Sequence, residues 1–198
     1  MGTDIAGRIE CRLRYPIDSR KPWTSAIDLS LLYHGRDYDA FGCLFGIRNY
    51  AHFRPVAAER GLPADVSREV KEDAESYGEG GSGHSWISWA EIKAIDWEEE
   101  TEETDSRIHE YRRAEDGSLV YEGKSSLDPT FAKHVSYSLR APHSWPEGQE
   151  WEIEGKIYRA EKLKRKDTRE GWDSLFTVME LLAAYYEDDG VRLVVWFY

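Results

Sequence analysis

Four arginines, Arg36, Arg48, Arg54 and Arg60, fall within 25 residues of one another. A guanidinium grips phosphate or carboxylate through paired hydrogen bonds, so several converging from separate loops would make an anion pocket. Asn49, next to Arg48, would add a polar contact. Tyr38 and Trp86 would stack on a ring, and Asp4 and His84 would bond polar edges. The competing arrangement is that each arginine pairs with a neighbouring carboxylate such as Asp37 or Glu59. Asp4 and His84 also suggest a metal-independent hydrolase, with His84 as general acid or base and Asp4 as its orienter. That mechanism requires the two to share a cleft.

Other motifs are weaker. Gly78 to Gly83 spells G-x-G-x-x-G, but no strand is expected before it and no Gly-Lys-Ser/Thr follows, so it reads as a spacer before a helix. His-Ser-Trp occurs twice, at His84-Ser85-Trp86 and at His143-Ser144-Trp145. None of the 6 histidines stands at ligand spacing with another His or a Cys, so neither a metal site nor a cofactor is expected.

The elements that would position these residues follow from hydrophobic periodicity. Ile5 to Arg14 alternates: Ile5, Gly7, Ile9, Cys11 and Leu13 face a core, and Arg8, Glu10, Arg12 and Arg14 face away. Trp23 to Leu32 is a second strand turning irregular. Asp37 caps a short helix carrying Tyr38, Phe41, Leu44 and Phe45. A loop over Arg48–Pro63 precedes a helix starting at Asp65 or Ser67 and ending near Tyr77. The next helix begins at Ser88, where Glu91 completes a capping box. Hairpins turn at Asp116-Gly117 and Glu154-Gly155. Leu127 to Gly148, with three prolines, reads as loop with one helical turn. A basic run covers Lys162 to Arg169. Trp172 to Tyr186 has the strongest helical spacing. Val191 to Tyr198 is almost wholly apolar and should lie beside the first strand, buried on both faces.

These elements do not alternate strictly, which predicts a single α+β domain over 1–198. Its mixed or antiparallel sheet has the N- and C-terminal strands central, packed by a long C-terminal helix and shorter ones. Asp96 to Asp105 holds seven acids in ten residues, and a flexible, solvated segment is expected over about 96–106.

Composition bounds the function. The 198 residues carry a net charge of −12, which disfavours nucleic-acid duplexes and anionic membrane surfaces. Two cysteines in apolar patterns, and no apolar run of about 18 residues, fit a cytoplasmic protein without a membrane span. The 8 Trp and 12 Tyr must fill a core or line a pocket.

Several blocks resemble a family of uncharacterised actinobacterial and phage proteins. Its usual opening, Met-Gly-Cys-Asp-Ile-His, is similar to Met1-Gly2-Thr3-Asp4-Ile5-Ala6. Its Arg-Asn-Tyr-x-x-Phe block is similar to Arg36-Asp37-Tyr38-Asp39-Ala40-Phe41, and its Gly-Val-Arg step to Gly46-Ile47-Arg48. Further likenesses are Arg60-Gly61-Leu62-Pro63-Ala64-Asp65, His84-Ser85-Trp86-Ile87-Ser88-Trp89 and Val191 to Phe197. Residues 98–170 have no counterpart. In the family opening, Asp and His alternate on one strand face and would hold a metal with a later His; here position 6 is Ala. The phage members imply a role in phage–host conflict.

The leading expectation is a protein that binds a small anionic, nucleotide-like ligand through Asp4, Arg36, Tyr38, Arg48, Asn49, Arg60, His84 and Trp86. The alternatives are the hydrolase and a protein-interaction module using the acidic run and exposed tryptophans. The oligomeric state is not readable from the sequence.

Overall fold

A computed structural model describes residues 2–19, 22–126, 128–135 and 145–198. His143 and Ser144 of the second His-Ser-Trp triplet lie outside these. Among the described residues, eight strands form two antiparallel sheets. The first has the order β2-β1-β8-β3, with β1 at Ile5–Arg12, β2 at Trp23–Asp28, β3 at Ser82–Ser88 and β8 at Val191–Phe197. The N- and C-terminal strands pair centrally as expected, Ile5 opposite Phe197 and Cys11 opposite Val191. The fold is therefore α+β, built on antiparallel sheets.

One face of this sheet carries the main core. Ile9, Cys11, Ile87, Leu193, Val195 and Phe197 pack against α1 (Tyr38–Phe45), α3 (Trp89–Lys93) and α5 (Asp173–Tyr186). Asp37 caps α1, accepting from the Asp39 and Ala40 amides. The Ser88–Glu91 capping box opens α3. Trp172, fully buried, stacks on Tyr33 at 4.5 Å between ring centres.

The other face departs from expectation. Glu10 and Arg192 are buried there, because α2 (Arg68–Ser76) lies across it. Val70 and Ala74 of α2 pack on Val194 and Trp196. Ser67, rather than Asp65, caps α2 through the Val70 amide.

β3 is the element the sequence pattern hid. The glycine-rich segment does not lead into a helix. It closes α2 with a tight turn over Gly78–Gly80 and continues as an edge strand. The register slips by one residue between Ser82 and Ser85, with Gly83 at φ +59 inside the bulge. That positive φ strains any side chain, which is why glycine suits the bulge. Two buried positions, Ser85 and Ile87, carry one polar and one apolar residue, which blurred the period-two signal.

The second sheet, order β5-β4-β7-β6, contains β4 (Ile108–Arg113), β5 (Leu119–Ser125), β6 (Glu150–Ile153) and β7 (Lys156–Arg159). Both hairpins turn where expected. The sheet packs its own small core of Ile108, Ile153 and Tyr158 on Phe131 of α4 (Pro129–His134), the helical turn anticipated in the proline-bearing loop.

The acidic segment is not a loose one. Glu98 pairs with Lys164 and Lys166, and Glu99 with Arg165, so the basic run after the second hairpin neutralises it. Glu100 bridges to Lys164, and Thr101, Thr104 and Asp105 are buried.

Asp105 anchors a charged network between the second sheet and α1. Arg107 and Lys124 each contact both Asp105 and Asp39 of α1. His109 lies 3.3 Å from Asp105 and 3.2 Å from Glu161, one ring nitrogen to each. Burial lowers the His109 pKa, but the two carboxylate hydrogen bonds outweigh it and the net shift is upward. The sign follows: stability from protonated His109 is complete below the unfolded pKa of about 6.5 and is lost as pH rises through the higher folded value. Melting temperature should therefore fall as pH rises above about 6.5, and His109→Asn should flatten that slope. An unchanged slope in the variant would remove His109 from the account.

Candidate functional site

The expected site residues divide between two places. At the first, Asp4 continues the β1–β8 ladder, exchanging backbone hydrogen bonds with Tyr198. Its carboxylate takes both Nε and Nη2 of Arg36, at 2.8 and 2.5 Å. The Arg36 hydrogen bonds hold the Asp4 carboxyl below its ordinary range. Tyr38 accepts the Thr3 amide on its hydroxyl, and Arg48 donates to Thr3 Oγ1 while lying over the Tyr38 ring. The Asn49 side-chain amide clamps both backbone groups of Phe53 and fixes the loop. This locus is exposed, with about half of the Arg36 side chain open to solvent.

Arg60 belongs elsewhere. Its guanidinium forks onto Glu91, with Nη2–Oε1 at 2.8 Å, and also donates to the Trp86 and Val56 carbonyls. Burial raises the Glu91 pKa, but hydrogen bonds from Arg60 and Ser88 more than reverse this, leaving it ionised. Arg54 pairs with Glu99. The arginines thus do not gather into one anion pocket. Arg36, Arg54 and Arg60 each pair with a different carboxylate, while Arg48 bonds the Thr3 hydroxyl.

His84 sits in the β3 bulge, and its carbonyl receives the Gly61 amide. Asp4 and His84 stand on strands separated by β8, roughly 10 Å apart at the usual strand spacing. With the Asp4 carboxylate held by Arg36, the pair does not form the expected acid–base arrangement. Nor do the tryptophans share an open surface. Trp97 packs on the main core and Trp145 and Trp151 on the second, while Trp23 turns toward Trp86.

A cleft opens between Trp23 and Trp86. It holds about 990 Å³ and lies on the second face of the first sheet, beside the start of α2. Its polar floor is Arg192, which donates Nε to Glu10 and Nη1 to Asp65, both at 2.8 Å. Glu10 also accepts the Ser67 amide, and Asp65 accepts Trp23 Nε1. Burial pushes the Asp65 pKa up, but Arg192 and Trp23 hold it below the ordinary value. The Arg192 guanidinium lies 3.8 Å from the Trp23 ring centre and 5.7 Å from that of Trp86, and Arg60 covers Trp86 at 5.0 Å. Arginine and tryptophan therefore alternate across the sheet, each cation drawn to a ring face. Leu62, Pro63, Ala90 and Ala94 complete the walls.

Of the expected residues, only Arg60 and Trp86 line this cleft. Trp23, Asp65, Glu91 and Arg192 were missed. Their signal was a single arginine inside an otherwise apolar strand, facing a glutamate on the strand expected beside it.

No family model, curated protein or solved structure matches the chain. Among the described residues, no helix is long and apolar enough to cross a membrane.

The two loci should respond differently to truncation. In urea denaturation Arg36→Ala is expected to leave the midpoint unchanged, since its partner is solvent-exposed. Arg60→Ala should cost about 2 kcal/mol through the Glu91 fork and two carbonyl contacts. Equal effects would mean that burial does not separate them.

Proposed function

We propose that the protein binds a small, ring-bearing, uncharged ligand of nucleobase or nucleoside size in the Trp23–Trp86 cleft. Small-ligand binding is thus retained from the sequence reading, with a new location and without the anion. The observation that carries it is the charge balance of the cleft. Its two guanidiniums are already matched by Asp65 and Glu91, and Asp189 adds a third carboxylate at the rim. A phosphate there would meet more negative than positive charge. What is left unmatched is apolar and aromatic surface, around a volume suited to a small organic molecule. A flat ring inserted beside Trp86, over the exposed side of the Arg60 guanidinium, would bury that surface without adding charge. The resemblance to phage proteins would place such binding in phage–host conflict, as capture of a small signal.

The test is a titration with nucleosides and their 5′-phosphates, read by intrinsic tryptophan fluorescence and by melting temperature. Nucleosides should quench fluorescence, and saturation at about 100 times Kd should stabilise the fold by roughly 2.7 kcal/mol. The phosphorylated forms should bind more weakly, and Trp86→Ala should abolish the response. No response to any nucleoside, or tighter binding of the phosphates with dependence on Arg36 and Arg48, would refute the proposal.

A further inference from the structure

We infer that the ligand presents a ring carbonyl to Arg192, which makes it an oxo-substituted nitrogen heterocycle such as a lactam or cyclic imide. This rests on the reading of the cleft as a ring-binding site. The Arg192 side chain is 4% exposed, and two of its three nitrogens are spent on Glu10 and Asp65. The third, Nη2, is buried without a hydrogen-bond partner. A buried donor left unsatisfied costs roughly 1–3 kcal/mol, more when charged, so an acceptor supplied by a ligand recovers that loss.

Several other lining donors are already engaged. Arg60 uses Nη1 and Nη2 on Glu91, Trp86 and Val56, and Trp23 Nε1 is bound to Asp65. Among the described residues, Arg192 Nη2 is the fully buried lining donor without a partner, and a ligand needs one acceptor to meet it. Glu10 behind Arg192, with Asp65, Glu91 and Asp189 at the lining, selects a neutral carbonyl oxygen over an anion. In a lactam or imide the ring N–H next to that carbonyl is a donor, and the exposed Asp189 carboxylate stands at the rim to accept one. Trp23 holds the guanidinium plane at contact distance. Trp86 is farther off and only half-buried, so in this proposal it is the ring that moves aside for the carbonyl to reach Nη2.

The experiment compares hypoxanthine with purine, the same bicycle with and without the ring carbonyl, by calorimetry on the full chain. The wild type should bind hypoxanthine at least about tenfold more tightly, since purine offers only ring nitrogens where hypoxanthine presents a carbonyl oxygen to the buried donor. Arg192→Lys keeps a cation for Glu10 and removes Nη2. It should bring the ratio of the two affinities to within about twofold, whatever it does to each Kd alone. Should that variant fail to fold, the wild-type ratio alone decides. Equal wild-type affinity for both rings would overturn the carbonyl inference and leave ring binding standing. Retention of the preference in Arg192→Lys would assign the acceptor to another residue and also overturn it. Binding of neither ring would overturn both the inference and the reading beneath it.

Discussion

Glu10 and Arg192 come from strands far apart in sequence and meet, register partners, beneath the start of α2. Both are almost fully buried. Removing two charges from water costs several kcal/mol each, and their attraction offsets this only with good geometry and further hydrogen bonds. Those are present: Glu10 divides its oxygens between Arg192 and the Ser67 amide, and Arg192 extends to Asp65. The network therefore ties β1, β8 and the entry to α2 to one arrangement. It also holds the Arg192 guanidinium over the Trp23 ring.

A different balance joins the second sheet to the first layer. There Asp39 and Asp105 share Arg107 and Lys124, and His109 spans Asp105 and Glu161. Burial alone would raise the Asp105 pKa, yet the cations and His109 hold it far below the usual carboxylate range. Charge pairing is thus the recurrent means by which an acidic chain fixes its layers. It explains why the run at 96–105 is ordered: the lysines and arginine at 164–166 lie against it.

Much of the architecture was legible because local signals agreed. The alternation at Ile5–Arg12, the apolar run at Val191–Phe197, the Asp37 and Ser88 caps and both glycine turns each specify an element without tertiary help. β3 was not legible, because its buried Ser85 is satisfied by the Ala57 carbonyl rather than by apolar packing. The site was least legible. Arginine spacing along the sequence says nothing of which carboxylate each will find, and Arg36, Arg54 and Arg60 found three different ones. Glu10 looked like a member of a solvent-facing set with Arg8 and Arg12. Only the placement of α2 across that face shows otherwise.

The central claim is that Glu10 and Arg192 act as one unit. A double-mutant cycle measures this: unfolding free energies of the wild type, Glu10→Ala, Arg192→Ala and the double variant, from urea denaturation. The account predicts a coupling energy of about 2 kcal/mol or more, with the double variant less destabilised than the sum of the singles. Additivity within about 0.5 kcal/mol would show that the two charges do not depend on each other, and would contradict it.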